Sequence, residues 1–260
     1  MKNHLIKSIC YAIVLLLLHS CATNTNFSTG KTESHYAINS ELDKIAAKDT
    51  SLINLISSYK NKLDGEMNTI ISMAETDLMV NRPEGLLSNF IADALFEIGN
   101  KYCEEKNLNH SVDLVIMNMG GIRSSLAKGE IKTGIVYEML PFKNKLVIVG
   151  MKGKDLINLL HRVAYSGGEG VSNIKMGIKD RKAVDILVDG KPVDPAKIYH
   201  VISVDYLVNG GGGFDAFQNR ETFRHMHKLL RSEIISYMTR KYKKGEKISA
   251  KKDGRIYNVE

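Results

Sequence analysis

Two glycine-containing segments offer the clearest chemistry in this sequence. The first runs from Asn118 to Arg123 and has Gly120 and Gly121 at its centre, and the second is the run of four glycines from Gly210 to Gly213. Glycines at the end of a strand expose main-chain N–H groups and allow a ligand or another segment to approach closely. Arg123 adds a planar fork of donors that suits a phosphate or a carboxylate. Taken alone, these glycines are equally compatible with tight turns and with ligand contact.

Other patterns argue against catalysis by this chain itself. The segment Gly150 to Lys154 contains a glycine-lysine pair, but it lacks the spacing of a phosphate-binding loop, and Asp155 follows where Ser or Thr is needed. His225 and His227 are the only close pair of histidines, and we place them early in a helix. A two-metal phosphatase needs several Asp, His and Asn ligands around ions about 3.5 to 4 Å apart. We therefore expect neither a catalytic residue nor a metal ligand here.

Composition indicates a globular protein. Hydrophobic residues make up 43% of the chain and charged residues 25%. This composition does not fit a disordered protein or a membrane helix bundle, but it is compatible with both an enzyme and a binding protein. The net charge of +7 includes basic clusters at 241–244 and 251–252. These clusters fit a solvated face or a patch for anionic ligands or lipid headgroups. Cys103 fits a small buried side chain better than a nucleophile.

The first 20 residues have the pattern of a secretion signal. Lys2 and Lys7 precede a short apolar run at 13–18, and Ser20 and Cys21 follow. Spanning a bilayer takes about 20 apolar residues, so this run is too short. The order of residues 18–21 resembles a bacterial lipobox, which implies cleavage before Cys21 and a lipid on that cysteine. A plain signal peptide and an uncleaved anchor remain as alternatives. The polar segment 21–38 then fits a flexible tether.

The elements that must position the glycine segments alternate between helices and strands. The strongest helix prediction is 84–106, followed by a buried strand at 112–117 that leads to Asn118, and a strand at 199–204 that leads toward Gly210. The other predicted elements are one or two amphipathic helices up to 62, strands at 67–73, 146–151, 174–178, 183–188 and 255–259, and helices at 134–139, 154–165 and 223–242. Asp189 and Gly190 predict a hairpin turn. This mixture indicates an α+β fold with a mixed β-sheet packed with helices.

Several of these pieces together resemble one family. In order, they are residues 118–123, then Pro141 to Asn144, then Tyr206 ahead of the segment 209–214. Supporting matches are residues 82–84 leading to 89–94, and residues 190–195 leading to Tyr199. The order and spacing are similar to those of the C-terminal, substrate-binding domain of the 5'-nucleotidase and UDP-sugar hydrolase family. The resemblance extends over roughly residues 40–259 and implies that family's fold for a domain at 39–260.

The resemblance also implies roles for individual residues. Phe142 and Tyr206 would stack on the two faces of a base, although core packing of both rings is the alternative. Arg123 and Arg82 would meet the phosphate or ribose end of a nucleotide, and Asn118 and Asn144 a base or sugar edge. The implied substrate-binding set is Phe142, Tyr206, Arg123, Asn118, Asn144, Arg82, Gly120, Gly121, Gly211 and Gly212.

Three departures from the family pattern bear on the ligand. Gly212 stands where the family usually has an acidic residue that contacts the ribose hydroxyls, and the nearest acid is Asp215. Lys143 replaces a common glycine beside the stacking aromatic residue. The loop 167–170 is shorter than the family's usual base-edge loop. Ribose recognition of the usual kind is therefore not implied for this chain.

The family's metal-bearing catalytic domain has no counterpart that we recognise in this sequence. We expect the isolated chain to be inactive in hydrolysis, with divalent metals held only by a separately encoded metallophosphatase partner. Two alternatives remain open: a stand-alone lipoprotein that binds nucleosides or nucleotide sugars, and a degenerate scaffold kept for protein contacts. We expect no nucleic-acid polymer as a partner. The expected location is the bacterial cell envelope, on the membrane through the lipid at Cys21.

Overall fold

The structure is a computed structural model that describes residues 50–260. The predicted signal at 1–20, Cys21, the tether at 21–38 and the first part of the helical segment, 39–49, lie outside the described residues and stay predictions. Contacts between Cα atoms group residues 54–260 into one unit. Among the described residues, no helix combines the length and the apolar character needed to cross a membrane.

The described part contains three β-sheets. The strands are β1 (Ile70–Ala74), β2 (Leu114–Met117), β3 (Gly129–Lys132), β4 (Lys145–Lys152), β5 (Gly170–Ser172), β6 (Ile174–Lys179), β7 (Lys182–Val188), β8 (Lys191–Pro192), β9 (Ile198–Val204), β10 (Thr222–Leu229) and β11 (Ile256–Asn258). The central sheet has the order β10-β4-β9-β2-β5, a second sheet has the order β11-β6-β7-β8, and β1 pairs with β3. Parallel pairing of β2 with β9 and antiparallel pairing of the other neighbours make the central sheet mixed.

Helices cover these sheets. They are α1 (Thr50–Met67), α2 (Leu86–Glu105), α3 (Thr133–Met139), α4 (Gly153–Tyr165), α5 (Asp205–Val208) and α6 (Leu230–Lys243). All four residues of β2 are buried, because α2 packs over β2 and β5 with its apolar stripe. Helix α4 packs on β7, and α6 packs on β1. The fold is therefore the predicted α+β arrangement of a mixed sheet packed with helices.

Most predicted elements are confirmed, including the long helix and the hairpin. The helix predicted at 84–106 is α2, and the strand predicted at 112–117 is β2. Asp189 and Gly190 both have positive φ, 52° and 70°, and Val188 pairs with Lys191 around them. Positive φ at both central residues is what a two-residue hairpin turn of the primed type requires.

The helix predicted at 223–242 is wrong in its first part. Residues Thr222–Leu229 form strand β10, and the helix begins only at Leu230. His225 and His227 therefore lie on a strand, with His225 edge-on to the ring of Phe223. Antiparallel pairing of β10 with β4 overrides the local pattern, in which no Gly or Pro marks a boundary.

The N-terminal part of the described chain also differs from expectation. Helix α1 continues to Met67, so the strand predicted at 67–73 starts only at Ile70. Apolar side chains of the predicted amphipathic pattern, such as Leu55 and Ile56, are exposed in α1. Hydrophobic periodicity identified the helix but not a partner for its apolar face.

A partly buried ionic network links the C-terminal segment to α2. The guanidinium of Arg255 donates to both carboxylate oxygens of Asp93, at 2.7 and 3.0 Å, and to both of Asp253, at 2.9 and 2.8 Å. The buried carboxylate of Glu84 accepts from the side chain of Asn89 at 2.6 Å and from the main-chain N–H of Asp253 at 2.9 Å. Part of the motif at 82–94 thus holds the fold together.

Candidate functional site

Strand directions bring three separate segments to one end of the central sheet. β4 and β9 are antiparallel, with Leu146 opposite Val204, so the segment before β4 lies beside the segment after β9. β2 is parallel to β9, so both strands end at the same end of the sheet. The turn at 119–121, which follows β2, therefore lies there too. The site segments predicted from sequence, which are distant along the chain, become neighbours for this reason.

A cavity of about 310 Å³ lies where these segments meet. Both aromatic rings are half exposed, Phe142 at 49% and Tyr206 at 50%, whereas the nearby Phe214 and Phe217 are buried at 1% and 0%. Phe142 and Tyr206 therefore line the cavity and are not packed in the hydrophobic core. The residues that line the cavity are Asn118, Gly120, Gly121, Phe142, Asn144 and Tyr206.

Asp205 links the two aromatic walls of the cavity. One of its carboxylate oxygens, Oδ1, accepts hydrogen bonds from the main-chain N–H groups of Lys145, at 3.0 Å, and of Tyr206, at 2.9 Å. Lys145 begins β4 directly after the Phe142 loop, and Tyr206 carries the other ring. The same carboxylate therefore fixes the backbone on both sides.

Gly211 supports the ring of Tyr206. A Cβ atom at position 211 would fall 2.6 Å from two ring carbons of Tyr206 and 2.5 Å from its carbonyl oxygen. Van der Waals contacts between carbons are most favourable at about 3.5 to 4.0 Å, so only glycine allows the ring to lie there. Gly211 thus contributes to the site through the ring, and it lies outside the cavity lining.

Gly212 forms a backbone turn in the segment that follows Tyr206. Its φ is 66°, in the left-handed region, and its carbonyl oxygen accepts hydrogen bonds from Arg162 Nε at 3.0 Å and Nη2 at 2.7 Å. The guanidinium carbon of Arg162 also lies 5.4 Å from the ring centroid of Phe214. The four-glycine run therefore combines a turn with close packing.

The turn after β2 presents Asn118 and two glycines to the cavity. Cβ atoms placed at Gly120 and Gly121 would lie 3.5 Å from the amide group of Asn118, which therefore packs over the turn. The main-chain N–H of Met119 donates to Oε2 of the buried Glu169 at 2.6 Å. The buried carboxylate of Glu169 therefore stabilises the turn at 119–121, since a hydrogen bond to a carboxylate is stronger than one to a neutral group.

The two predicted arginines occupy different environments. Arg123 is exposed beside the glycine turn, with Nη1 3.4 Å from the carbonyl oxygen of Gly120. Arg82 instead donates to the carbonyl oxygens of Ser166, at 2.6 Å, and of Gly168, and its Nη2 lies 3.3 Å from Glu169 Oε1. Both arginines therefore lie outside the cavity lining. Arg82 acts on the turn through Glu169, whereas Arg123 lies at the surface beside Gly120 with donors available to an anionic ligand.

The sequence did not predict three residues that support the site through hydrogen bonds to its main chain: Asp205, Glu169 and Arg162. Asp205 could have been noticed, because a carboxylate beside a candidate aromatic residue commonly bonds local main-chain N–H groups. Glu169 and Arg162 belong to segments far from their partners along the chain. Their roles depend on tertiary contacts that leave no local signal.

Across residues 50–260, no three His, Cys, Asp or Glu side chains come together in a group that could hold a metal ion. The predicted pair His225 and His227 lies on β10, with ring centroids 5.7 Å apart. The cavity offers two aromatic faces and two side-chain amides, which suit binding of a planar, polar ligand.

Comparisons with known proteins agree with this geometry. Residues 63–219 match the family model of the 5'-nucleotidase C-terminal domain. Protein UshA of Escherichia coli is 28% identical over 179 residues, which cover 67% of this chain and 32% of that protein. A cell wall protein of Listeria monocytogenes is 27% identical over 223 residues, covering 75% of this chain and 28% of that protein.

Solved structures show the same fold. The 5'-nucleotidase precursor of Thermus thermophilus superposes with a TM-score of 0.66 at 25% identity, over 78% of this chain and 42% of that chain. This chain spans about a third of the length of these two curated relatives. Because the family model accounts for more than half of the residues and the fold agrees, the chain belongs to the family of 5'-nucleotidase C-terminal domains.

Proposed function

We propose that the cavity at the end of the central sheet binds a nucleotide or a nucleoside, with the base between Phe142 and Tyr206. One observation carries this proposal: two half-exposed aromatic rings line the same cavity of about 310 Å³ beside the amides of Asn118 and Asn144. Stacking of a base on an aromatic ring contributes about 1 to 3 kcal/mol and tolerates different bases. Amide groups both donate and accept, as the edges of bases and sugars require.

The proposal assigns hydrolysis to a second chain. The described side chains offer no group of metal ligands, so we derive no cleavage step from them. A separately encoded metallophosphatase would hold the divalent metals, and this chain would position the nucleotide. A lipid on Cys21 would keep the protein on a membrane of the bacterial envelope. The relatives named 5'-nucleotidase, such as that of Vibrio vulnificus, support nucleotide chemistry as the setting.

Calorimetric titration of the full chain with AMP, adenosine and UDP-glucose tests the binding proposal. Phe142→Ala and Tyr206→Ala should each weaken binding by about 5- to 150-fold, which corresponds to the loss of one stacking contact. Tyr206→Phe keeps the ring and should keep most of the affinity. Tyr242→Ala is the matched control, because it removes an aromatic side chain of similar exposure, 41%, outside the cavity.

The outcomes separate the candidate functions. Binding that both alanine variants lose supports the aromatic clamp, and absence of binding to all three ligands would overturn it in favour of a protein-contact scaffold. Phosphate release from AMP is then compared for a metallophosphatase chain alone and in a mixture with this chain. Equal rates would refute the subunit role and leave a stand-alone binding protein, whereas a faster rate in the mixture that Phe142→Ala abolishes would support it.

A further inference from the structure

The start of helix α6 contacts the backbone on both sides of Phe142. The main-chain N–H of Leu230 donates to the carbonyl oxygen of Asn144 at 3.0 Å. Nη1 of Arg231 donates to the carbonyl oxygens of Leu140 and Pro141, each at 3.1 Å. The loop that carries the ring is thus bonded to one short segment of chain both before and after Phe142.

A bulge in β10 delivers the chain to this position. Pairing with β4 shifts register between His225 and Leu229, and His227 within this stretch has a φ of 57°. Leu229 resumes pairing opposite Lys145, the first residue of β4. A β-bulge bends its strand and redirects the residues that follow it. Here the bulge places Leu230 and Arg231 beside the Phe142 loop.

The guanidinium of Arg231 is itself held in place. Its central carbon lies 3.9 Å from the ring centroid of Tyr137 in α3, a distance typical of a cation–π contact. A planar guanidinium can stack on a ring with its face while its edge donates to carbonyl oxygens, which an ammonium group cannot do. The contacts therefore require arginine at position 231 and connect α6, α3 and the loop.

We propose that Arg231 is a positioning residue that fixes the loop 140–144 and so holds the Phe142 ring in place for the ligand. Arg231 lies outside the residues that line the cavity, so it acts through the loop. The ring is half exposed, and main-chain contacts on both sides of it limit its movement. A ring that is already placed loses less conformational freedom on binding, which strengthens affinity. This inference rests on the proposed function for its binding assay but not for its structural assay.

A double-mutant cycle with AMP as the probe tests the coupling. Arg231→Ala in the full chain should weaken AMP binding by about two- to tenfold, the cost of ordering one loop side chain. In a Phe142→Ala background, the effect of Arg231→Ala should disappear, and in a Tyr206→Ala background it should persist. The same loss in all backgrounds would overturn the proposal, because Arg231 would then act on the fold or on the ligand directly.

Conservative variants and a matched control accompany the cycle. Arg231→Lys should bind AMP about as weakly as Arg231→Ala does, because an ammonium group has neither the forked donors nor the flat face of a guanidinium. Arg240→Ala on the same helix removes an arginine that also contacts a ring, that of Tyr237 at 5.9 Å, and should leave AMP binding unchanged. If Arg231→Ala does not fold, Arg231→Gln carries the same comparison; full affinity in Arg231→Lys would overturn the requirement for arginine.

A second measurement needs no ligand. The seven phenylalanines can be replaced by 4-fluorophenylalanine, and the ¹⁹F resonance of Phe142 assigned as the one missing in Phe142→Leu. Arg231→Ala should move this resonance toward the position of a free side chain, and Arg240→Ala should not. An unchanged resonance would overturn the proposal. Should the unsubstituted protein bind none of the ligands, the nucleotide-binding function fails, while this measurement still decides the role of Arg231.

Discussion

The ring of Tyr206 rests directly on Gly211, with room for a hydrogen atom but not for a methyl group. A Cβ at position 211 would lie 2.6 Å from Cε2 and Cζ of the ring. Gly211→Ala should therefore displace the ring and weaken AMP binding about as much as Tyr206→Ala. It should also lower stability by about 1 to 3 kcal/mol, as overpacking does.

Gly65→Ala is the control for this change. Position 65 lies in α1, and a Cβ there would have no atom within 4 Å, so the substitution should leave the melting temperature unchanged or slightly higher. Calorimetric titration and thermal unfolding measure both variants. Normal affinity and stability in Gly211→Ala would contradict the packing described for the tyrosine wall.

Arg123 and Arg82 should respond differently to the phosphate of the ligand. Arg123→Ala should weaken AMP by about 10- to 150-fold and adenosine hardly at all, since a hydrogen bond to a charged group contributes about 1.5 to 3 kcal/mol. Arg82→Ala should weaken both ligands equally and lower the melting temperature, because Arg82 acts through Glu169 on the turn. If the ratio of AMP affinity to adenosine affinity in both variants equals that of the unsubstituted chain, neither arginine contacts the phosphate.

Gly212→Asp should increase affinity for ribosides. Position 212 has a φ of 66°, a conformation in which Asp and Asn are enriched among residues other than glycine, and a Cβ there would make ordinary contacts, the nearest at 3.5 Å to Phe214. The family resemblance implies that a carboxylate at this position, although outside the cavity lining, would accept hydrogen bonds from the ribose hydroxyls. Calorimetry with adenosine and with 2',3'-dideoxyadenosine measures the effect.

Gly212→Asn provides the matched control for backbone strain at the same φ. The gain from Gly212→Asp should be absent with the dideoxy ligand and smaller in Gly212→Asn. A gain that is equal for both ligands would point to general electrostatics and not to the hydroxyls.

Acid should destabilise the protein through Asp253. The hydrogen bond from Arg255 lowers the pKa of this carboxyl below its ordinary value, against the effect of burial. A depressed pKa in the folded state contributes stability above the unfolded pKa, about 3.9, and that stability is lost as pH falls through the folded value. The free energy of unfolding, measured with urea at several pH values below about 4, should therefore fall less steeply with decreasing pH in Asp253→Asn than in the unsubstituted chain.

A surface carboxylate serves as the comparison for the acid effect. Glu105→Gln removes an exposed pair with Lys101, 3.6 Å apart, and such pairs contribute little. It should leave the pH dependence nearly unchanged. Arg255→Met should lower stability at neutral pH by about 1.5 to 3 kcal/mol, because it removes the charged hydrogen-bond donor of the partly exposed carboxylates of Asp93 and Asp253. Identical pH curves for Asp253→Asn and the unsubstituted chain would exclude Asp253 as the source.

Several elements could be predicted because their signals are local. Helix α2 has a continuous apolar stripe, β2 is a short apolar run, and Asp189 with Gly190 requires a primed turn. The order of the motifs around Asn118 and Tyr206 predicted the family, and all six residues that line the cavity are among the ten named from the sequence. Strand β10 could not be predicted, because pairing with β4 outweighs a sequence that is also compatible with a helix.

The sequence by itself determined the residue types of the binding surface: two aromatic rings, two amides and the glycines that allow close approach. These identities depend on chemistry and on backbone conformation, which are local properties. Only the tertiary structure decided which side chains reach the cavity and which support it. The antiparallel register of β4 and β9 brings Phe142 and Tyr206 together, while Arg82 lies behind the turn and Arg231 behind the loop. The physical reason is that long-range strand pairing, and not the spacing along the chain, sets the distances between these groups.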